Sequence, residues 1–338
     1  MQKGAFTISI KNVELGYSKE KPLLPKFSVE ANSGELIALI GRNGIGKSTL
    51  LRSIMGLQMP MLGSIYVDGV PVSKLGRKQK AKAVSFVPAE SVRVANLHVC
   101  DFVAVGRFPY LGWSRTLSAT DWEKVNYALA LVNISHLAHR DISTISDGEL
   151  QRAMVAFALA QDTRIIILDE PTAFLDLPNK FEMVSLLSDL AQNNGKTIIY
   201  STHDLQGAIH EADTIWMMLN EGFLSGAPED LALNGKFKQL LADSQVLFDL
   251  ESGLFRNRRR SLKTIAFEGE GTAAIWTTKM LERVGFKVGS NAEGMKVTCK
   301  QQYSSTEWIL TKNGVLLFKT HTLYELAQKL REVNPYSD

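Results

Sequence analysis

The sequence lacks the features that mark secreted and membrane-spanning proteins. Among its 338 residues there are two cysteines, Cys100 and Cys299, which lie far apart and form no C-x-x-C pair. This scarcity favours a reducing compartment. No apolar run approaches the roughly 18 residues that a spanning helix needs, and no secretory signal precedes the first alternating strand pattern. We therefore expect a protein that is not secreted and does not cross a membrane by itself.

An excess of charge of one sign is also missing. The net charge is +3, the basic residues are scattered, and the chain is 45% hydrophobic and 22% charged, as in ordinary soluble globular proteins. This balance argues against nucleic-acid binding. The one dense basic run, Arg256–Arg260, lies in a segment that we interpret as a linker over residues 256–263. A solvated linker and a contact with membrane headgroups or an acidic partner both remain open for it.

The spacing of apolar residues divides the chain into two parts. Residues 1–255 show antiparallel strand patterns and then alternating strands and helices, which predicts an α/β fold with a mostly parallel sheet. Helical spacing runs from about Asp121 to His139. Residues 264–338 have an α+β pattern with its own apolar set, which is long enough for a small separate domain.

A glycine-rich loop between a strand pattern and a helix pattern is the strongest functional signal. It fits G-x-x-x-x-G-K-[ST], in which the backbone N–H groups curl around a phosphate and the following helix adds its positive end. Lys47 is expected to reach the terminal phosphates of a nucleotide, and Ser48 to bind Mg²⁺. The loop residues are Gly41, Arg42, Asn43, Gly44, Ile45, Gly46, Lys47, Ser48 and Thr49.

Two carboxylates follow a second buried strand pattern, Ile165–Leu168. The carboxyl ends of the strands are where ligands bind in such a sheet. Asp169 is placed to hold Mg²⁺ or its water shell, and Glu170 to polarise a water for attack on the terminal phosphate. Alone, this pair would also fit a helix N-cap. Together with the phosphate loop it predicts nucleotide hydrolysis.

A second helix start that can bind an anion lies in Ile145–Arg152. Ser146 and Gly148 begin a predicted helix, and Asp147 is suited to capping it. The chain already has a loop for its own nucleotide. The additional anion site is therefore surplus unless it serves a nucleotide held by another copy of the chain.

In combination, these motifs resemble the ATP-binding subunits of ATP-binding-cassette (ABC) transporters over about residues 6–255. Ile145–Arg152 resembles the signature motif of that family, with Asp147 where the family has glycine. The resemblance implies a P-loop NTPase core with an antiparallel β subdomain and a helical subdomain at about residues 90–160. It also implies a head-to-tail homodimer that encloses ATP between the loop of one subunit and the signature of the other.

The resemblance assigns roles to further residues. His203 corresponds to the switch histidine that contacts the γ-phosphate, and Asp176 to the acidic position of a segment that communicates across the dimer. Tyr17 matches the aromatic residue that stacks on adenine. One position departs from the family: Ala89 replaces the glutamine that senses Mg²⁺, so that either Glu90 is the metal ligand or this ligand is missing.

A short segment narrows the subfamily. Val103–Trp113, which contains Gly-Arg-Phe-Pro, resembles the ATPase subunits of importers for iron–siderophores, haem and cobalamin. This resemblance implies that residues 89–113 contact integral-membrane permease subunits, that a substrate-binding protein works with them, and that the chain is peripheral at the cytoplasmic face of the membrane. The alternatives are a soluble cassette ATPase of translation or DNA repair and a regulatory nucleotide-binding module.

Residues 264–338 contain no recognisable catalytic constellation. His321 and Cys299 are isolated, and the glycines at 269 and 271 are too few to predict a nucleotide site. A role in dimerisation or regulation is the hypothesis for this part of the chain.

Overall fold

The chain divides into two compact units. The first consists of Met1–Asp243 and Phe248–Phe255, and the second of Ser244–Leu247 and Arg256–Asp338. The computed structural model describes residues 7–16, 22–90, 93–112, 116–242, 244–257, 263–289, 294–302 and 305–333. In this described part, no helix has both the length and the apolar character that crossing a bilayer requires.

An antiparallel sheet opens the first unit. Its strands are β1 (Ile8–Glu14), β2 (Phe27–Ala31), β4 (Leu62–Val67) and β5 (Val70–Pro71). They lie in the order β2-β1-β4-β5. Buried and exposed residues alternate strictly along β2, as expected for a sheet that packs one face on a core.

A mostly parallel sheet carries the motifs of the first unit. Its strands are β3 (Leu36–Gly41), β6 (Val84–Val87), β7 (Ile165–Leu168), β8 (Thr197–Ser201), β9 (Thr214–Leu219) and β10 (Gly222–Gly226). The order is β10-β9-β3-β8-β7-β6, and β10 alone among them runs antiparallel to its neighbour. Successive side chains of β3 belong to two hydrophobic cores, with Ala38 in one and Ile37 in the other, so both sheet faces are covered.

The helices of the first unit supply the covering layers and a helical region. They are α1 (Lys47–Ile54), α2 (Arg77–Ala83), α3 (Val99–Ala104), α4 (Ala119–Leu131), α5 (Asp147–Ala160), α6 (Leu177–Asn194), α7 (Leu205–Glu211), α8 (Pro228–Leu233) and α9 (Phe237–Leu240). The predicted extension of α4 to His139 is wrong. The helix ends at Leu131, and Asn133 follows with a φ of 58°, a left-handed conformation that terminates a helix.

Arg107 ties the helical region together from the turn between α3 and α4. Its Nε donates to Asp121 Oδ1 at 2.9 Å, and its Nη1 donates to Ala160 O at 2.8 Å. The guanidinium also lies 4.0 Å from the centre of the Tyr110 ring. Arg107 is buried, whereas Phe108 beside it is 58% exposed. The arginine of the Gly-Arg-Phe-Pro sequence therefore connects α4 and α5.

The second unit has its own sheet and its own core. Its elements are β13 (Lys263–Glu268), α10 (Gly271–Arg283), β14 (Phe286–Val288), β15 (Met295–Gln302), β16 (Ser305–Lys312), β17 (Val315–Thr320) and α11 (Leu323–Val333). Two short paired strands, β11 (Val246–Asp249) and β12 (Leu254–Asn257), come before them in the chain, and their residues 248–255 belong to the first unit. The sheet order is β14-β13-β15-β16-β17. Ile265, Leu281 and Leu310 are fully buried in one cluster, and Trp308 Nε1 donates to Thr277 Oγ1 at 2.8 Å.

Candidate nucleotide site

The glycine-rich loop connects the carboxyl end of β3 to the start of α1. Gly44 and Gly46 have φ angles of 77° and 112°, in the region that favours glycine. A Cβ on Gly46 would lie only 3.0 Å from Leu23 Cδ1, so the loop is closely packed from below. The first turn of a helix leaves N–H groups without an intrahelical acceptor, and α1 therefore offers an anion both donors and a positive end.

Lys47 folds back across this loop. Its Nζ donates to Gly41 O at 2.9 Å and lies 3.5 Å from His203 Nε2. Burial lowers the pKa of Lys47, while the carboxylates of Glu170 and Asp169 act in the opposite direction. The ammonium is thus held beside the groups that the sequence predicted as catalytic.

Asp169 is fixed on both sides by hydroxyl groups. Ser48 Oγ donates to Asp169 Oδ2 at 2.9 Å, which joins the phosphate loop to the end of β7. Ser201 Oγ donates to Asp169 Oδ1 at 2.6 Å and accepts from Glu170 N at 2.9 Å. Sequence reasoning missed Ser201, although its place two residues before His203 was a usable signal.

Glu170 and His203 form the second half of the cluster. His203 Nε2 lies 2.9 Å from Glu170 Oε1, and both side chains are partly exposed. Glu170 has a φ of 51°, a left-handed conformation that is strained for a residue with a side chain. The chain therefore holds this carboxylate in an unusual backbone geometry beside an imidazole and an ammonium.

The other loop residues differ in exposure. Ile45 and Thr49 are buried, and Ile45 belongs to a hydrophobic core of the first unit. Arg42 and Asn43 are exposed. The loop is thus anchored through Ile45 and Thr49.

In the part of the chain that the structure describes, some predicted site residues are not bonded to the group around Lys47, which consists of Lys47, Ser48, Asp169, Glu170, Ser201 and His203. Asp176 caps α6, where its Oδ1 accepts from Asn179 N at 3.1 Å. Glu90 is exposed, and among the described residues it makes no hydrogen bond or ion pair with Ser48 or Asp169. Tyr17 lies outside the residues that the structure describes.

The signature segment begins α5 through a capping box. Ser146 is the N-cap: its Oγ accepts from Glu149 N at 3.3 Å, and Glu149 Oε2 accepts from Ser146 N at 2.8 Å. Ser146 Oγ also donates to Glu149 Oε2 at 2.9 Å, and the bonds that the Glu149 carboxylate receives from the backbone and side chain of Ser146 lower its pKa. Neither Ser146 nor Gly148 makes a hydrogen bond or ion pair with Gly41–Thr49 within the described ranges. Within one copy, the described residues thus show no direct bond between the glycine-rich loop and the helix start at Ser146.

Comparison with known proteins identifies the family. The family model described as "ABC transporter" matches residues 24–173. The petrobactin import ATP-binding protein FpuD of Bacillus anthracis is 37% identical over 232 residues, which cover 68% of this chain and 84% of that protein. The chain belongs to the ATP-binding subunits of ABC transporters. It is an ATPase that binds ATP, as the motifs predicted.

Other members of the family are also similar. The ferric enterobactin transport ATP-binding protein FepC of Escherichia coli is 34% identical, with 65% of this chain and 82% of that protein covered. A second family model, the iron ABC transporter C-terminal domain, matches residues 262–331. The C-terminal part, which the sequence left without a family, therefore resembles a domain found in iron transporters.

Solved structures confirm the predicted ABC ATPase fold. A metal-chelate type ABC transporter in an inward-facing conformation has a TM-score of 0.62 and 28% identity, with 70% of this chain and 89% of that chain covered. The dimeric cassette MJ0796 has a TM-score of 0.57 and 26% identity, with 65% and 98% covered.

Proposed function

We propose that this ABC ATPase powers the import of iron–siderophore complexes. The match of residues 262–331 to the C-terminal domain of iron ABC transporters carries the proposal. The relatives FpuD, CbrD and FepC support it, because they are named for petrobactin, achromobactin and ferric enterobactin transport. None of these three names points to haem or cobalamin, the other substrates that the sequence left open.

Ser48 and Asp169 are the proposed Mg²⁺ ligands. A hydroxyl and a carboxylate are the hard oxygen donors that Mg²⁺ prefers, and these two side chains already lie 2.9 Å apart. Protein oxygens usually supply only one or two ligands to Mg²⁺, while substrate phosphates and waters complete the shell. The bound ion would neutralise charge on the phosphates. Glu90 remains the alternative ligand, although it makes no contact with this pair in the described part of the chain.

Lys47, Glu170 and His203 are the proposed catalytic residues. The Lys47 ammonium neutralises the terminal phosphates, whose negative charge in turn keeps the buried lysine protonated. Glu170 accepts the proton of the attacking water, since it follows β7 beside the phosphate loop and its carboxylate, unlike that of Asp169, is not bonded to Ser48 or Ser201 in the described part of the chain. His203, which lies 2.9 Å from that carboxylate, holds it and the γ-phosphate in place.

A head-to-tail homodimer completes the site in this proposal. Ser146 and Gly148 of one copy bind the γ-phosphate of the ATP that the phosphate loop of the other copy holds. The dimeric structure of the related cassette MJ0796 supports this assembly. Tyr17 would stack on adenine, and Asp176 would communicate across the dimer.

In this proposal, the dimer transmits its conformational change to subunits in the membrane. Residues 89–113 are the proposed contact with integral-membrane permease subunits, which would place the chain at the cytoplasmic face of the membrane as a peripheral protein. A substrate-binding protein would deliver the iron–siderophore complex to the permease. Residues 264–338, after the linker at 256–263, are proposed as a separate C-terminal domain.

Uptake measurements test the substrate. Cells that lack the chain should regain uptake of a radio-iron-labelled ferric siderophore when the wild-type chain is supplied, and Lys47→Ala should not restore it. Labelled haem and labelled cobalamin are the matched alternatives. Recovery of haem or cobalamin uptake without recovery of iron–siderophore uptake would overturn the proposal.

A further inference from the structure

The segment leading into α3 is bound to the segment leading into α5. Asn96 N donates to Asp141 Oδ2 at 2.7 Å. Ile142 N donates to Leu97 O at 2.9 Å. The first of these segments lies within the proposed permease contact, and the second ends at the signature motif. A displacement of residues 93–99 therefore acts directly on the start of α5.

Arg93 makes the contact nearest to the signature. Its Nη1 donates to Ile145 O at 2.9 Å and to Ser143 O at 3.3 Å. Its Nη2 lies 2.5 Å from Asp147 Oδ1. One planar guanidinium thus holds two carbonyls before the helix and the carboxylate of its first residue, which suits the fixed fork of arginine better than the single point charge of lysine.

Asp147 creates an electrostatic problem that Arg93 resolves. The carboxylate lies between Ser146 and Gly148 in sequence, and its side chain is 69% exposed. A negative charge beside a helix start that binds phosphate repels that phosphate. The Arg93 guanidinium neutralises the carboxylate while leaving the N-cap hydroxyl of Ser146 in its capping box.

We propose that Arg93 is a positioning residue of the signature motif. It neutralises Asp147 and fixes the backbone ahead of α5. Ser146 and Gly148 are thereby positioned to bind the γ-phosphate of ATP that a second copy holds. This inference rests on the head-to-tail dimer of the proposed function. Because Arg93 precedes α3 in the permease-facing segment, a movement of that segment would alter the charge and position of the signature together.

Five proteins test the role of Arg93: the wild type, Arg93→Ala, Arg93→Lys, Asp147→Gly and the double variant of Arg93→Ala with Asp147→Gly. Arg93→Ala should raise the KM for ATP about fivefold, the effect of roughly one unpaired surface charge. The double variant should recover most but not all of this loss, because the charge on Asp147 is gone while the carbonyls of Ser143 and Ile145 still lack the Arg93 donor. Arg93→Lys should fall between the wild type and Arg93→Ala.

Two further readouts separate this role from simple stabilisation. Because the pair is partly exposed, Arg93→Ala should change the Tm by less than about 3 °C. Binding of a fluorescent ATP analogue to the isolated monomer should be unchanged, since Lys47 and its loop are untouched. Arg164→Ala is the matched control, because it removes an exposed Arg164–Asp68 ion pair of 3.1 Å outside the site.

The outcomes distinguish the inference from the function on which it depends. A wild type that dimerises with ATP and hydrolyses it, together with an unchanged KM in Arg93→Ala, overturns the role of Arg93 alone. An equal KM increase in Arg93→Ala and in the double variant also overturns the charge role. A wild type that never dimerises with ATP overturns both the proposed dimer and this inference.

Discussion

Ser201 is the residue on which the two acidic side chains of the site depend. It is fully buried at the end of β8, so water cannot replace its bonds to Asp169 and to the Glu170 backbone. With one oxygen of Asp169 occupied by Ser201, the other remains for Ser48 and the proposed metal. The buried Ser201 hydroxyl thus orients the Asp169 carboxylate.

Replacing Ser201 with alanine should weaken metal use. We expect the Mg²⁺ concentration for half-maximal ATP hydrolysis to rise about tenfold, because the loss of groups that orient a metal ligand costs roughly 10- to 100-fold. The measurement is ATPase activity against Mg²⁺ concentration. Thr163→Ala is the control, since Thr163 is an equally buried hydroxyl that bonds to Ser85 at 3.0 Å instead. Equal Mg²⁺ curves for Ser201→Ala and the wild type would contradict this role.

At the residue scale, the sequence predicted the groups that lie within contiguous motifs. Lys47, Ser48 and Asp169 come together in the fold, because their motifs specify both the loop and the strand end. The place of Ser201 before His203 indicated the residue, but its particular bonds and the left-handed backbone of Glu170 were not predictable. They arise from pairing between strands far apart in sequence and from a local strain that no spacing encodes.

Among the elements, α4 depends on an ion pair with Arg107, a residue of the segment 89–113 that is proposed to contact the permease subunits. Asp121 receives hydrogen bonds from Ser118 at the start of α4, and these bonds together with Arg107 lower the pKa of Asp121. The side chains of Arg107 and Asp121 are only 7% and 13% exposed. Arg107 therefore contributes to the integrity of the helical region rather than to a docking surface.

Removing the Asp121 carboxylate should destabilise the first unit. We expect Asp121→Asn to lower the free energy of unfolding by about 2 kcal/mol, between the values for exposed and buried pairs. A lowered folded pKa means that this stabilisation is complete above the ordinary pKa of 3.8 and is lost as the pH falls through the folded value. The difference between the two proteins should therefore shrink below about pH 3.8 in denaturant titrations.

A matched substitution tests this assignment. Asp68→Asn removes the partner of the exposed Arg164 and should cost less than about 1 kcal/mol. If Asp121→Asn cost no more than Asp68→Asn at neutral pH, Arg107 and Asp121 would not stabilise α4 as described.

The boundaries of the elements were less predictable than their existence. The helical spacing from Asp121 to His139 continued past the true end of α4, because Val132, Ile134 and Leu137 are buried in the same core. Apolar spacing reports burial, and a short turn over Ser135–Leu137 places buried residues at similar intervals. The residue that marks the end of α4 is Asn133, which has a left-handed backbone conformation.

For the molecule as a whole, the separate hydrophobic core of the second unit predicts two parts that fold separately. The second unit, Arg256–Asp338 with Ser244–Leu247, has a buried cluster of its own around Ile265, Leu281 and Leu310. A sheet covered by two helices and filled in this way satisfies the requirements of an independent domain.

A fragment of residues 256–338, which contains the whole buried cluster of the second unit, should therefore fold without the rest of the chain. We expect one cooperative unfolding transition by circular dichroism, and Leu281→Ala should lower its stability by about 3 kcal/mol. Ile275→Ala, on the exposed side of the same helix, should change it by less than about 0.5 kcal/mol. A fragment without a cooperative transition would show that the second unit needs the first.

The dimer of two copies could be predicted from the sequence only indirectly. The surplus helix start at Ser146 and Gly148 indicated a partner copy, because a chain with one phosphate loop needs one such site.

The match of the C-terminal part to an iron transporter domain was not predictable from its pattern. Its strands and helices specify a fold, and the iron relationship lies in sequence similarity rather than in a motif of recognisable chemistry.

A Glu170→Gln variant tests directly whether Glu170 is the base for ATP hydrolysis and whether ATP binding joins two copies of the chain. Glutamine retains the shape of the side chain but cannot accept the proton of water, so hydrolysis should fall at least about 100-fold, while ATP and Mg²⁺ should convert the protein to a stable dimer on size exclusion. Glu229→Gln, at an exposed position in α8, is the matched control, and it should hydrolyse ATP as the wild type does. Unchanged hydrolysis by Glu170→Gln, with no ATP-dependent dimer, would contradict the account.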